Sequence, residues 1–187
     1  KFPNQFFNAG VAEQNMMGLS AGLASEGFHV YAYSIANFPT FRCAEQVRND
    51  VAYHNLPVTI VSVGGGLSYG NLGYSHHAVQ DYSLTRTIPN MLIAAPGDPM
   101  ETRACVRYLN ENPQPSYLRL GKAGESNFHE EIPSIKPGEW IKTDDKKSSK
   151  VILSTGTALK VAKELNDNEN MKDFSVSTMP LWGMGFK

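Results

Sequence analysis

Residues 57–66 read PVTIVSVGGG. A β-branched run bounded by Pro57 and closed by three glycines predicts a strand that opens into a loop. Helical spacing of Cys43, Val47 and Val51 precedes it, over residues 41–53. Further upstream, HVYAYS (29–34) reads as a buried strand. Residues 12–26 read as a helix stopped by Gly27, and FFNA (6–9) as a short apolar strand. Downstream, a glycine-rich loop runs from Gly64 to His77, and helix resumes over 79–87. A strand covers 90–95, and Pro99 opens a helix with Asp98 as its N-cap. Residues 116–120 form another strand, ending in GKAG (121–124). Strict alternation with short connections predicts an α/β fold, a three-layer parallel sheet with helices on both faces. Ligands of such sheets bind beyond the carboxyl ends of the strands. The loops 10–13, 64–77 and 121–124 are therefore expected to meet.

After Glu125 the texture changes. Residues 126–149 are polar, carry Pro133 and Pro137, and read as a linker between a domain at 1–125 and the start of a second α/β domain at 150–187. In that second unit KVILSTGTA (150–158) restarts strand and helix, and FSVSTMP (174–180) supplies another strand. So small a unit cannot bury its own faces. Either it packs on the first domain or it is the opening of a larger one.

Composition narrows the function classes. The chain has 187 residues, 41% hydrophobic and 19% charged, with a formal net charge of -1. The only basic cluster, Lys146-Lys147 and Lys150, follows Asp144-Asp145, so nucleic acid is not the expected partner. No apolar stretch is long enough to span a bilayer. The opening KFPNQFF lacks a signal peptide's layout, which sets a cytoplasmic expectation. Cys43 and Cys105 fall in predicted helices and read as small buried hydrophobes.

Glu13 stands in the first turn of a helix rich in Gly18, Ser20, Ala21, Gly22 and Ala24. By position alone, an acid there complements the helix dipole. His76 and His77 lie together at the end of the glycine loop; a zinc site there lacks further ligands at suitable spacing. GGG (64–66) is not a phosphate-binding P-loop, because no Lys-Ser/Thr follows.

The string FFNAGVAEQNMMGLSAGLASEG (6–27) closely resembles the segment of transketolase-family thiamine diphosphate enzymes that carries their cofactor-activating glutamate. ANFPTFRCAEQVRND, GYSHHAVQD, TIPNM, APGDPMET and PSYLRLGK resemble the same family, in the same order. The likeness covers residues 5–125 strongly and 150–187 weakly, and is similar to the second-half subunit of a split transketolase. It implies the pyrimidine-binding domain of the thiamine diphosphate-binding fold, followed by the beginning of a transketolase C-terminal-type domain.

The resemblance also implies roles. Glu13 would hydrogen-bond N1′ of the aminopyrimidine, sharing the proton that makes the 4′ nitrogen a base. Phe38 and Phe41 would form the apolar wall around the ring, with Ile35 where relatives usually carry an aromatic. His76 would face the reacting carbonyl end of the substrate and His77 a more variable position. Lys122 stands where many relatives place a phosphate-binding arginine, a point charge instead of a fork. Gly64 and Leu72 replace polar residues of the sugar-phosphate enzymes, which implies a substrate outside their usual pentose and hexose phosphates.

The family's Mg²⁺ motif, Gly-Asp-Gly with a later Asn, is not matched by Gly97-Asp98-Pro99. Mg²⁺ and the cofactor's diphosphate are therefore expected on a partner chain, in an assembly of two copies of each. The expected activity is two-carbon ketol transfer. Deoxyxylulose-phosphate synthase, the beta subunit of a 2-oxoacid dehydrogenase, and a degenerate non-catalytic partner are the alternatives.

Overall fold

The computed structural model describes residues 2–168, 171 and 173–184. Pro3–Gln5 forms a single 3-10 turn, and α1 spans Glu13–Ser25. β1 (Val30–Ile35) is followed by a continuous but uneven helical stretch: a π turn at Phe38–Arg42, α2 (Ala44–Gln46), and π turns at Val47–Ala52. Then come β2 (Val58–Val63), two short 3-10 turns in the glycine loop, α3 (Asp81–Thr87), β3 (Leu92–Ala94), α4 (Pro99–Glu111) and β4 (Ser116–Leu120). β5 (Ile141–Lys142), β6 (Val151–Ser154), α5 (Ala158–Asn166), β7 (Ser175–Thr178) and β8 (Leu181–Trp182) complete the order.

The first sheet runs β1-β2-β4-β3-β8, with β1, β2, β4 and β3 all parallel and β8 antiparallel to β3. Period-2 alternation decides its two faces. Ala32, Ile60, Ile93 and Tyr117 point to one side, where Met17, Ala21 and Ala24 of α1 pack with Cys43, Val47 and Val51. Leu92, Ala94 and Leu118 point to the other, against Cys105 and Leu109 of α4. This is the three-layer arrangement expected from the alternation of strand and helix. Both cysteines are free and buried.

Three local expectations need correction. FFNA is not a strand: Phe6 and Phe7 are exposed, and neither belongs to a described sheet. A short, mostly apolar run becomes a strand only when an edge accepts its N–H and C=O groups. HVYAYS does form β1, but as an edge strand, so Tyr31 and Tyr33 face solvent rather than the core. The helix after the glycine loop begins at Asp81, two residues later than its spacing predicts, because Ala78 bridges back to Gly66.

Residues 126–149 are not a free tether. They contribute β5 to a second sheet, ordered β5-β7-β6, in which β6 and β7 are parallel. Leu159 and Ala162 of α5 bury against Val176, with Phe128 packed alongside. This small unit solves its burial problem by docking on the first: Gly156 N–H donates to Ala95 O, Ala95 N–H donates to Pro180 O, and β8 joins β3. Among the described residues no helix is long and apolar enough to cross a membrane.

Candidate active site

α1 begins without help from its N-cap, since Ala12 offers no side-chain acceptor. Glu13 follows as the first helical residue and is 7% exposed. Its carboxylate does not fold back on the helix. Arg42 Nη1 donates to Glu13 Oε2 at 2.6 Å, and Gln14 Nε2 donates to Arg42 O at 3.0 Å. The first turn of α1 is thereby tied to the π turn after β1. That turn is anchored from below by buried Thr40, whose hydroxyl donates to Ala36 O at 2.6 Å.

The Arg42 guanidinium lies over the Phe38 ring, 4.7 Å from its centroid. Phe38 in turn meets His76 edge to face, with centroids 5.3 Å apart. Asn37 Nδ2 donates to Ser75 O at 2.7 Å, and Ser75 Oγ lies 3.0 Å from His76 Nδ1. Glu13, Arg42, Phe38 and His76 thus form one continuous row. Three of the residues expected at the site fall on it, from segments far apart in sequence.

The other candidates sit around this row. Ile35 is half-buried at the end of β1, beside Val63 in the register. Phe41 is 40% exposed and turns outward. His77 Nε2 lies 3.3 Å from Gly70 O, inside its own loop. Lys122 Nζ sits over the Tyr69 ring at 4.5 Å, so loops 64–77 and 121–124 do meet. Glu13 comes to the same region by its contact with Arg42, not by leaving a strand end.

The glycine loop is held by a cation that the sequence reading missed. Gly66 and Ala78 exchange both backbone hydrogen bonds, closing the loop's base. Beneath it Arg119, on β4, donates to fully buried Asp81 at 2.6 Å and to Ala78 O at 3.2 Å. Tyr117 hydroxyl donates to the same Asp81 oxygen. A side chain at Gly65 would run into the Arg119 guanidinium, so the loop's close approach needs a residue without a Cβ there.

Asp98 behaves as a cap. Its Oδ1 accepts from Glu101 N–H at 2.7 Å; its Oδ2 accepts from the N–H groups of Phe128 and His129 and lies 3.0 Å from His129 Nδ1. Burial works to raise this carboxyl, but the His129 ring and three backbone N–H groups outweigh it and bring it down to about 2. Glu101, fully buried, is pushed by burial up to about 7, against the pull of Gly97 N–H and His129. The His129 imidazole is raised by its bond to Asp98, against burial. With both oxygens spent on its own chain, Asp98 is not a free metal ligand. Among the described residues no group of three or more His, Cys, Asp or Glu is arranged to hold a metal ion. Beside the row, burial and then the Glu13 charge push the Cys43 thiol up to about 11, so it stays protonated near neutrality.

Comparisons with known proteins place the fold in a family. The model of the transketolase pyrimidine-binding domain matches residues 1–124. The chain is 42% identical over 130 residues to one subunit of the apulose-4-phosphate transketolase of Phocaeicola vulgatus, covering 70% of this chain and 42% of that protein. It is 35% identical over 171 residues to 1-deoxy-D-xylulose-5-phosphate synthase of Syntrophotalea carbinolica, covering 89% of this chain and 26% of the synthase. Among solved structures, a split-gene transketolase in the form of an inactive β4 tetramer superposes with a TM-score of 0.78 at 34% identity, over 96% of this chain and 58% of that one. The chain therefore spans less than two thirds of the relatives that it matches. By motif, by fold and by these matches, it belongs to the transketolase family through its pyrimidine-binding domain.

Proposed function

We propose that this chain supplies the aminopyrimidine half of a thiamine diphosphate site in a transketolase-type transferase, which moves a two-carbon ketol unit between sugar phosphates. One observation carries the reading: a buried carboxylate, Glu13, stands in a row with an aromatic face, Phe38, and an imidazole, His76. When bound, thiamine diphosphate supplies a thiazolium carbon that can carry and stabilise a carbanion beside a carbonyl.

The chain's own residues do the rest. Glu13 shares a proton with N1′ of the aminopyrimidine, which requires an acid shielded from water. Phe38 gives the flat apolar face against which a ring packs, with Ile35 beside it; Phe41, turned outward here, would join the wall only by swinging in. His76, held by Ser75 and Phe38, donates or accepts a proton at the carbonyl end of the substrate. His77 and Lys122 flank the substrate, Lys122 as a point charge for a phosphate. The diphosphate and its Mg²⁺ would be held by a partner chain, a reading supported by the commitment of Asp98 to backbone donors of its own chain. The active assembly holds two copies of this chain and two of the partner, in the cytoplasm. Two relatives support the need for a partner: one is named as a single subunit of its transketolase, and the other is a split-gene transketolase that is inactive as a β4 tetramer.

Titration calorimetry with thiamine diphosphate and Mg²⁺, with and without the partner chain, tests the sharing. Tight binding only in the mixture is expected; tight binding by this chain alone overturns it. In the mixture, Glu13→Gln is expected to lower turnover by about 10²- to 10⁴-fold. Near-wild-type turnover in that variant removes Glu13 from the role.

The likeness to deoxyxylulose-phosphate synthase, which reaches beyond residue 130, favours a second reading as a synthase-like subunit. Carbon dioxide release from a 2-oxoacid donor marks that reading, and its absence with a ketose phosphate donor marks ketol transfer. Cofactor binding without turnover on either donor marks a degenerate partner.

A further inference from the structure

The Glu13 carboxylate and the Phe38 ring share one occupant, the Arg42 guanidinium. Its chemistry is specific. A guanidinium is flat, cationic, and donates N–H bonds in its own plane. A protonated 4-aminopyrimidine is an amidinium with the same three properties. Both satisfy a carboxylate edge-on while laying a π face on an aromatic ring. Arg42 is also removable: its side chain is 46% exposed, whereas that of Glu13 is 9% exposed. It sits at the last position of a π turn, a local irregularity common where helices serve function.

We propose that Arg42 is a built-in surrogate for the aminopyrimidine, occupying the Glu13 carboxylate and the Phe38 face until the cofactor ring displaces it. This rests on the assignment of Glu13 above and adds a competitor to it. The surrogate keeps the buried acid paired in the free chain, where an unpaired charge would be costly. It also lowers the apparent affinity for the ring by the fraction of molecules in which Arg42 is seated.

The test uses the chain itself and a small probe, 4-amino-2-methylpyrimidine near pH 6, with binding read by calorimetry and by ring-proton NMR shifts. Arg42→Met keeps the apolar stem over Phe38 and removes the fork. It is expected to bind the probe about tenfold more tightly than the wild type. Guanidinium chloride at millimolar concentration is expected to reverse that gain in the variant and to leave the wild type unchanged. Thermal melting verifies folding, and Arg42→Lys, which keeps the charge without the planar fork, is expected to fall between the two. Equal, weaker or undetectable probe binding by Arg42→Met overturns the proposal, as does indifference of the variant to guanidinium. A Glu13→Gln background separates the two ideas. Probe binding that ignores Glu13 defeats the assignment of Glu13 itself. Binding that needs Glu13 but ignores Arg42 defeats only the surrogate.

Discussion

Two acids at helix starts, Glu13 of α1 and Asp98 ahead of α4, are used in opposite ways. At α4, the Asp98 carboxylate turns inward on the chain that bears it, accepting from Glu101, Phe128 and His129 N–H groups. At α1, the cap position is an alanine, and the Glu13 carboxylate instead reaches an arginine 29 residues away. Asp98 is closed by backbone donors that cannot leave without unfolding something. Glu13 is closed by one side-chain donor with a half-exposed end. The same functional group at the start of a helix is thus cement in one place and an exchangeable acceptor in the other. What distinguishes them is the identity of the donors, not burial, since both acids are buried.

The sharpest way to break this contrast is to remove each carboxylate. Asp98→Ala strips a cap and orphans the partly buried N–H groups of Phe128 and His129, and is expected to cost about 2 kcal/mol in urea denaturation. Glu13→Gln keeps shape and hydrogen-bonding capacity, and is expected to change stability by less than about 1 kcal/mol. Equal losses in the two variants would erase the distinction.

A subtler effect follows from the acid and the imidazole beside Asp98. The folded-state value of Glu101, raised by burial to about 7 from 4.5, means that the native protein holds a proton the unfolded chain has released. Its contribution is therefore complete below pH 4.5 and is lost as pH rises through 7. His129, raised from 6.5 by Asp98, acts in the same direction, complete below 6.5 and lost above its folded value. Asp98 acts oppositely, complete above 3.8 and lost as pH falls through about 2. Stability measured from about pH 4.5 to pH 8 is expected to decline by on the order of 2 kcal/mol more in the wild type than in Glu101→Gln. Parallel profiles for the two proteins would contradict the burial of that acid.

The smallest effect concerns Lys122. Lys122→Ala removes a cation–π contact with Tyr69 on the surface, and is expected to shift stability by no more than about 0.5 kcal/mol. In the complete assembly it is expected to raise KM for a phosphorylated substrate about tenfold with kcat nearly unchanged, the signature of a group that binds without entering the chemistry.

How much of this is legible in the chain depends on the range of the interaction. The Asp98 cap can be read because Pro99 sits beside it and capping is a three-residue affair. β2 and β4 can be read because β-branched and apolar runs bounded by breakers report a central strand directly. β1 is misread as a buried strand because HVYAYS looks apolar, and only the strand order, set by distant segments, leaves it at the edge. FFNA fails for a related reason, since no local feature states whether an edge will accept it. At the candidate site, Glu13, Phe38 and His76 are singled out by the family resemblance, and the structure brings the three into one row. Arg42 is not singled out, because nothing within a few residues of it points at a carboxylate in another helix. The Arg119–Asp81 pair and the His129 contact escape equally, being links between elements 38 and 31 residues apart.

The short closing strand bears on how the polypeptide comes off the ribosome. Leu92–Ala94 has a neighbour on one side from β4 and, among the described residues, on the other from Leu181–Trp182, which follow all three strands of the second sheet in the chain. Throughout that interval a ladder of donors and acceptors stands bare. Fragments trimmed near residue 125 would leave that edge without its β8 partner, and are expected to self-associate more readily than the 187-residue chain.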